Sequence, residues 1–394
     1  MSNHNKINLN HISIENCVVF VANRGFSLIN SRLLLMQWFL SSGWKVVAVT
    51  SKDDFVEKLS SLGVIWEEAW FDRGGLSLLQ DIQATLTLAQ IYRKYQPCLI
   101  HHFNAKPILL GNLATFCINR VKVVNTLTGL GHAFIHGGLT RFLAATGYQL
   151  LLSKGDATIF QNNDDRELFL KEGWIPEDKA KLIVSSGVDT KRFAPNYTQH
   201  NNEAPQVLMV ARLLWQKGVR EFVEAARIVK QRYPHVCFNL AGEWDLVHPD
   251  SVDQAWIQET VKQEMINFLG YLKNIEEHLC STSIFVLPSF YREGVPRVLL
   301  EAAACGVPVV TVDVPGCREA VVEGITGKLV PPRNSQALAD AIAELLISPS
   351  LRIQMGKAGR QRIENNFDIR MITEKQINIY REIGVNISPL SITS

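Results

Sequence analysis

Short apolar runs alternate with longer segments of helical periodicity along the chain. The runs lie at residues 17–22, 45–50, 98–102, 122–126, 157–160 and 181–184, and again at 206–210, 237–241, 284–287 and 307–312. Segments typical of helices separate them, at residues 31–41, 54–62, 76–95, 107–118, 219–232, 254–265, 296–305 and 335–346. Strands that are apolar throughout and alternate with helices are typical of parallel sheets covered on both faces. The pattern therefore predicts an α/β protein with parallel sheets.

A polar and broken stretch divides this series into two halves. Residues 187–204 read GVDTKRFAPNYTQHNNEA, which has the Pro, Gly and polar content of a linker between domains. A chain of 394 residues is also long enough for two domains. We therefore expect a first domain over residues 1–186 and a second over 205–368, with a cleft between them. The last helical segment, 369–384, is expected to pack back on the first domain.

The composition excludes several classes of protein. With 47% hydrophobic residues, 20% charged residues and a net charge of +2, the chain is neither disordered nor basic enough to predict a nucleic-acid partner. Its seven cysteines are scattered, which argues against a zinc site or a disulfide framework and for a reducing compartment. The polar first residues do not form a signal peptide, and no run of 18 apolar residues occurs. We expect a cytoplasmic protein and leave contact with the inner face of the plasma membrane open.

Candidate chemistry first appears in residues 288–306, PSFYREGVPRVLLEAAACG, which directly follow an apolar run. The proline in the middle of this segment suits the first turn of a helix, which puts Glu293 before the helix and Glu301 inside it. The free backbone N–H groups near Gly294 and Val295 would then point into the cleft and form an anion site. Two carboxylates around a glycine at a strand-to-helix turn indicate a ligand site.

Each carboxylate also has an ordinary structural interpretation. Glu301 comes four residues after Arg297, so the two could form an ion pair on the helix. Glu293 could be an acidic residue near a helix start, where the helix dipole favours negative charge. Their occurrence around the same turn is what favours the functional interpretation.

A second candidate segment is 207–218, VLMVARLLWQKG, in which a strand, a loop and a helix start follow one another. Arg212 lies at the end of the strand and Lys217 just before the helix opens. Cations at a helix N-terminus oppose the helix dipole, so their position needs a reason. A phosphate would supply it, because both cations and the free N–H groups could converge on one dianion. The alternative is a pair of solvated surface cations.

Together these segments resemble the donor-binding half of retaining family 4 glycosyltransferases of GT-B architecture. The resemblance rests on the E-x7-E spacing in REGVPRVLLEAAACG, on ARLLWQKG, and on DVPGCREAVVEGITGKLVPP downstream. In the first half, HHFNAKPILLGNLA and KVVNTLTGLGHAF resemble the branch that builds capsular polysaccharides, O-antigens and lipid-linked oligosaccharides. The resemblance spans residues 17–383 and implies two Rossmann-like domains that face a central cleft.

The resemblance implies a role for the candidate residues of the second half. Arg212 and Lys217 would bind the nucleotide diphosphate and neutralise the departing charge. Glu301 would accept hydrogen bonds from the ribose hydroxyls, and Glu293 would hold hydroxyls of the donor sugar. The remaining donor-side positions are the backbone of Gly294 and Val295 and, in the loop 315–319, Gly316 and Glu319.

The first domain is expected to hold the acceptor. His102 and Lys106 follow one strand end and Thr128 and His132 follow another, at the carboxyl edge of the sheet, where α/β proteins bind ligands. His132 would act as a base or a hydrogen-bond donor, although a lone histidine is more often a packing or capping residue. Many members of the family carry a histidine where this chain has Thr128, which puts a carried-over histidine role in doubt.

Two further features of the first half could face an acceptor or a membrane. The loop predicted at residues 23–32 would face the cleft, where Arg24 and Arg32 could meet an acceptor phosphate; solvated surface arginines are the alternative. The segments 31–43 and 140–155 mix bulky apolar residues with Arg and Lys. They are either ordinary core helices or an amphipathic surface that lies on anionic lipid.

The expected reaction follows from these residues and the resemblance. Glycosyl transfer develops positive charge on the sugar while a diphosphate leaves, and two cations with a helix N-terminus can stabilise that leaving group without a metal. The chain has no Asp-x-Asp motif. We expect a retaining transferase without metal or other cofactor, which moves a hexose or N-acetylhexosamine from a UDP-sugar to a glycan or polyprenyl-diphosphate-linked acceptor in bacterial surface polysaccharide synthesis. The alternatives are a GDP-mannose-dependent transferase, a nucleotide-sugar epimerase, and a donor-binding partner subunit without activity.

Overall fold

The protein consists of two parallel β-sheets, each covered by helices. The computed structural model describes residues 16–72, 77–130, 138–196, 204–245 and 248–387, and of residues 138–144 it describes only the backbone. The prediction of an α/β protein with parallel sheets is confirmed in both halves. No helix within these ranges is long and apolar enough to cross a lipid bilayer.

The first sheet is buried on both faces. Its seven strands are β1 (Cys17–Arg24), β2 (Lys45–Ser51), β3 (Ile65–Glu68), β4 (Leu99–Phe103), β5 (Lys122–Leu127), β6 (Ala157–Phe160) and β7 (Ala180–Leu182). They pair in parallel in the order β3-β2-β1-β4-β5-β6-β7. The helices are α1 (Gly25–Ser41), α2 (Val56–Ser61), α3 (Leu78–Tyr95), α4 (Ala105–Ala114), α5 (Gly138–Leu151) and α6 (Asn163–Lys171). The first six residues of β1 are all buried, which explains its continuous apolar run.

The first helix begins earlier than the sequence predicts. Because α1 starts at Gly25, directly after β1, the loop expected at residues 23–32 is wrong. The turn is tight, since an ideal Cβ at Gly25 would lie 2.6 Å from Oδ1 of Asp53 and would displace that carboxylate. Oδ2 of the same carboxylate accepts a hydrogen bond from the backbone N–H of Phe26 at 3.0 Å.

Arg32 is therefore a helix residue and not a loop residue. It is buried, its guanidinium lies 4.7 Å from the ring centroid of Phe103, and burial lowers its pKa to about 10. The burial of Arg32 excludes the alternative of a solvated surface arginine. Its predicted contact with an acceptor phosphate stays a prediction.

The second sheet repeats the arrangement with six strands. They are β8 (Gln206–Val210), β9 (Cys237–Ala241), β10 (Asn267–Phe268), β11 (Ile284–Leu287), β12 (Val309–Val312) and β13 (Gly327–Val330), paired in parallel in the order β10-β9-β8-β11-β12-β13. The helices are α7 (Val219–Arg232), α8 (Gln254–Lys262), α9 (Ile275–Cys280), α10 (Arg297–Ala304), α11 (Cys317–Ala320), α12 (Ser335–Ile347) and α13 (Pro349–Asn366). One large cluster of buried apolar residues fills this half.

The last helix, α14 (Ile369–Glu382), returns to the first sheet. Ile372, Ile377 and Tyr380 belong to the same buried cluster as the residues of β1 and α1. The Tyr380 hydroxyl lies 2.6 Å from Nδ1 of His101, the central residue of the buried strand β4. The last helix thus joins the core of the first half, while the domain limits at residues 186, 205 and 368 stay a prediction.

Candidate active site

The two halves of the chain touch through backbone at the carboxyl ends of their strands. The loop after β5 meets the loop after β11, where the N–H of Gly294 donates a hydrogen bond of 2.8 Å to the carbonyl of Thr128. Next to it, Gly129 adopts φ +112°, and an ideal Cβ there would lie 2.3 Å from Cα of Glu293. The expectation of a free N–H at Gly294 is therefore wrong in this conformation, because Thr128 occupies it.

Lys217 and Glu293 form an ion pair beside this contact. Lys217 ends a short 3-10 turn after β8, and its Nζ lies 2.5 Å from Oε1 of Glu293. The lysine is buried and the carboxylate mostly so; Ser289 Oγ donates to the same oxygen at 3.3 Å. The ammonium also lies 5.2 Å from the ring centroid of Tyr291. The fold thus brings together two predicted residues that are far apart in the sequence.

Arg212 has a different partner in this structure. Its Nη1 lies 3.0 Å from Oδ2 of Asp245, on the loop after β9, and its side chain is partly exposed. Arg212 therefore stands at the carboxyl edge of the second sheet, as predicted from the strand end. Among the described residues, no group of three or more His, Cys, Asp or Glu is placed to hold a metal ion.

Glu301 forms the ion pair that its spacing allows. Nε of Arg297 donates to Oε1 of Glu301 at 3.1 Å, and both side chains are largely buried on α10. Nη1 of Arg297 is buried, and no hydrogen-bond partner is found for it within the described ranges. The ion pair with Arg297 that the sequence allowed as an alternative is thus present, and Nη1 of Arg297 remains available as a donor.

The loop at 315–319 packs directly on the loop that carries Glu293. Gly316 has φ +93°, and an ideal Cβ there would lie 2.4 Å from the carbonyl oxygen of Gly294. Glu319 accepts a hydrogen bond of 2.7 Å from the N–H of Gly316, and burial raises the pKa of its carboxyl group. Val295 is buried in the core of this half. The backbone of Gly294 and the loop with Gly316 and Glu319 therefore pack directly on each other, while the Val295 side chain belongs to the core.

His102 does not reach the cleft. It is completely buried, with Nε2 2.9 Å from the hydroxyl of Tyr92 and Nδ1 3.0 Å from Oδ1 of Asn125. Burial lowers its pKa to about 4, so the ring is neutral at physiological pH. The prediction that His102 contacts the acceptor is wrong, because its side chain points into the core and not into the cleft.

The other acceptor-side candidates lie at the edge of the first sheet. Lys106, at the start of α4, forms an ion pair of 2.8 Å with Asp81 of α3. Arg24 lies 3.5 Å from Oδ2 of Asp53, the residue that holds the start of α1. Both cations thus have carboxylate partners within the first half.

Thr128 contributes through both its backbone and its side chain. Its carbonyl accepts the hydrogen bond from the second half described above, and its Oγ1 accepts one of 2.7 Å from Nδ2 of Asn104. His132, which follows in the same segment, lies outside the described residues. Its predicted role stays a prediction.

One ion pair across the two halves is not apparent from the sequence pattern. Arg292 donates to Oδ1 of Asp165, in the first turn of α6, through Nε at 3.1 Å and Nη2 at 2.9 Å. The Asp165 side chain is only 3% exposed, and burial raises its pKa while Asn162 and Arg292 partly oppose that shift. The spacing of Asn162 and Asp165 signals a helix start, but nothing local signals an arginine partner 127 residues away.

A cavity of about 520 Å³ opens beside this ion pair, between the two halves. Its size is that of a site for a small molecule. Four residues of α6 line one side and four residues from the loops after β11 and β12 line the other: Asp164, Glu167, Leu168 and Lys171, and Phe290, Arg292, Val314 and Pro315.

The fold and the family of the protein follow from this architecture and from comparison with known proteins. Two Rossmann-like parallel sheets that meet at the carboxyl ends of their strands, with the last helix returned to the first sheet, define the GT-B architecture. Residues 18–162 match the family model "Glycosyl transferase 4-like", and residues 190–362 match the model "Glycosyl transferases group 1". The two matches cover most of the chain, and the protein belongs to this family of glycosyltransferases.

Curated relatives and solved structures agree with this assignment. The chain is 28% identical over 386 residues to the N,N'-diacetylbacillosaminyl-diphospho-undecaprenol α-1,3-N-acetylgalactosaminyltransferase of Campylobacter jejuni, covering 93% of this chain and 99% of that protein. It is 25% identical over 326 residues to the UDP-Gal:α-D-GlcNAc-diphosphoundecaprenol α-1,3-galactosyltransferase of Escherichia coli, covering 79% of this chain and 82% of that protein. The crystal structure of Anabaena HepE with UDP-glucose shares the fold, with a TM-score of 0.76 at 18% identity over 93% of this chain and 99% of that one.

Proposed function

We propose that the protein is a retaining transferase that moves an N-acetylhexosamine or a hexose from a UDP-sugar to a polyprenyl-diphosphate-linked saccharide or a related glycan. The product would be a bacterial surface polysaccharide or glycan. The Campylobacter and E. coli relatives are named for α-1,3 transfer of such sugars to undecaprenol-linked saccharides. An α-linked product formed from an α-linked UDP-sugar keeps its anomeric configuration. The observation that carries the proposal is the Lys217–Glu293 ion pair where the two halves meet.

Lys217 is the cation best placed to stabilise the leaving diphosphate. Its charge is buried and therefore weakly screened by water. In the proposed reaction the ammonium binds the departing phosphate oxygens, and the Glu293 carboxylate accepts hydrogen bonds from hydroxyls of the donor sugar. Arg212 joins from the neighbouring loop by leaving Asp245, because its side chain is partly exposed. Charge placed before the reaction lowers the barrier to forming an oxocarbenium-like sugar and a leaving anion.

The remaining candidate residues bind and position the substrates in this proposal. Glu301 binds the ribose, and Arg297 holds its carboxylate in place. The surface formed by residues 294–295 and 315–319 contacts the sugar and phosphate, and the Gly294–Thr128 hydrogen bond holds this surface against the first half. Four residues of the first half bind and position the acceptor: Arg24, Lys106, Thr128 and His132.

A donor screen tests this function directly. Purified protein is incubated with a polyprenyl-diphosphate-linked saccharide and with UDP-N-acetylgalactosamine, UDP-N-acetylglucosamine, UDP-galactose, UDP-glucose or GDP-mannose, and nucleotide release is measured. We expect UDP release that depends on the acceptor. Glu293→Gln should lower kcat by about a hundredfold or more, and Glu301→Gln should mainly raise the donor KM. Glu374→Gln, an exposed exchange of the same type on α14, is the matched control and should behave like the wild type.

The same assay separates the alternatives. If GDP-mannose were the one tested donor from which nucleotide is released in the presence of acceptor, a mannosyltransferase would be favoured. Interconversion of a UDP-sugar without acceptor would favour an epimerase. Binding of UDP-sugar without any transfer would favour a partner subunit. We also propose that no metal is required, since Lys217 and Arg212 can neutralise the diphosphate; loss of all turnover in EDTA, restored by Mg²⁺, would contradict this.

A further inference from the structure

Large apolar side chains are exposed along one face of α3. Leu78 is 75% exposed and Leu79 is 81% exposed, and Ile82 and Leu86 are also exposed. Residues 78, 82 and 86 recur at intervals of four, so they lie on the same side of the helix. The opposite side, with Ala84 and the residues near it, is packed against the first sheet. The outer face of α3 is therefore apolar where an ordinary surface helix is polar.

The neighbouring helix α4 extends this exposed surface. α4 lies against α3 along its length, since Lys106 pairs with Asp81 at one end and Cys117 Sγ lies 3.5 Å from the carbonyl oxygen of Ala89 at the other. Leu113 on α4 and Phe116 in the 3-10 turn Thr115–Cys117 that directly follows it are two more large apolar side chains that are exposed. We call the combined surface the apolar patch, formed by Leu78, Leu79, Ile82, Leu86, Leu113 and Phe116.

The segment that carries the apolar patch is strongly basic. Residues 73–155 contain eight Lys and Arg side chains and a single acidic one, Asp81, whereas the whole chain has 40 basic and 38 acidic residues. Three of these cations are paired with carboxylates, Lys106 with Asp81, Lys94 with Glu67 and Lys122 with Asp156, and the other five have no opposite charge within the segment. Lys154, just after α5, places its Nζ 6.0 Å from the ring centroid of Phe116. Positive charge around exposed apolar side chains matches the surface of an anionic bilayer.

We propose that the apolar patch docks on an anionic lipid bilayer. This inference rests on the proposed function, in which the acceptor is anchored in a membrane. The patch does not suit contact between two copies of this chain, because a two-fold interface would bring the same positive segments together. A bilayer that contains anionic lipid buries the leucines and phenylalanine in its interface and pairs with the surrounding cations.

The position of the patch gives the docking a purpose. α4 starts directly after β4, at the carboxyl edge of the first sheet, and the Lys106–Asp81 pair places the start of α3 at that same edge. Leu78 and Leu79 therefore lie at the edge where the two halves meet. Leu78 and Leu86 lie about 12 Å apart along α3, so the patch extends from this edge of the sheet down the side of the first half. An acceptor held in the bilayer reaches the cleft without leaving the membrane.

Flotation with lipid vesicles tests the docking in the absence of nucleotide and acceptor, so the result does not depend on transferase activity. The full-length protein is mixed with vesicles of phosphatidylcholine or of equimolar phosphatidylcholine and phosphatidylglycerol. Leu79→Glu/Leu86→Glu alters the patch. Ile347→Glu/Ile353→Glu makes the same charge change at residues of the second half that are 67% and 59% exposed, and is the matched control.

We expect the wild type and the control to float with the anionic vesicles, less so at high salt, and the patch variant to bind at least about tenfold more weakly. Lys154→Glu should weaken binding to anionic vesicles only. Absence of wild-type binding to anionic vesicles, or equal losses in the control and the patch variant, would overturn the proposal. So would a wild-type dimer in light scattering that Leu79→Glu/Leu86→Glu converts to a monomer, since the patch would then be covered by a second copy.

Discussion

Replacing Gly129 by alanine should separate the two halves of the protein without removing a charged or hydrogen-bonding group. An ideal Cβ at this position lies 2.3 Å from Cα of Glu293 and 2.5 Å from the backbone nitrogen of Gly294. Carbon atoms in contact normally stay about 3.5–4.0 Å apart, so the two loops must move apart by more than about 1 Å. That movement breaks the hydrogen bond of 2.8 Å between Gly294 and Thr128.

The expected effect is a large loss of turnover and a moderate loss of folding stability. A misplacement of about 1 Å can cost about a hundredfold in rate, so kcat of Gly129→Ala should fall by about that factor. The lost hydrogen bond is worth about 1 kcal/mol, and alanine at positive φ costs a further 1–2 kcal/mol or so. The proposed UDP-binding residues lie in the second half, so the Kd for UDP should change by less than about threefold.

The matched control is Gly63→Ala. Gly63 also has a positive φ, +84°, but an added Cβ there meets nothing within 4 Å. The control therefore carries the backbone strain without the obstruction between the halves. The measurements are kcat from UDP release, Kd for UDP by calorimetry, and the free energy of unfolding from urea denaturation.

Two results would refute this reasoning. If Gly129→Ala kept a kcat within a few-fold of the wild type, the backbone contact would not belong to the active conformation. If Gly63→Ala lost as much turnover as Gly129→Ala, the loss would come from backbone strain and not from the separation of the halves.

Three further predictions follow from buried groups. Arg292→Ala should cost about 3 kcal/mol in the free energy of unfolding by urea, because it leaves the Asp165 carboxylate buried without its cation. The double variant Arg292→Ala/Asp165→Asn should recover part of the lost stability. If the single and the double variant lost the same unfolding free energy, the ion pair would not have this role. Burial lowers the pKa of His102 from 6.5 to about 4. The stabilisation of the fold by its neutral ring is therefore complete above pH 6.5 and is lost as the pH falls towards 4. At about pH 5 the unfolding free energy has fallen by about 2 kcal/mol for this reason. His102→Asn should flatten the dependence of unfolding free energy on pH. An unchanged slope would contradict this prediction. Tyr380→Phe should cost about 1–2 kcal/mol of unfolding free energy, because His101 loses its buried partner; unaltered urea stability would show that the hydrogen bond is not needed.

Local patterns in the sequence determined the type and approximate position of most elements. The central residues of β1 and β2 are apolar because both faces of their sheet are covered, and this burial is visible as a continuous run of valine and other apolar residues. The start of α10 was visible from Pro296, which suits a first helical turn and lies at its N-cap. The position of Glu293 before the helix and of Glu301 within it follows from that start. Such features depend on neighbours a few residues away, which is why a sequence alone can show them.

Only the tertiary structure decided which of these side chains meet. Lys217 and Glu293 are separated by 76 residues, and Arg292 and Asp165 by 127, so their pairing depends on how two sheets face each other. The burial of His102 depends on which side of β4 is covered by α3, although its position at a strand end suggested exposure. Contacts of this kind carry no local signature, because they arise from packing between elements whose sequences need not refer to one another.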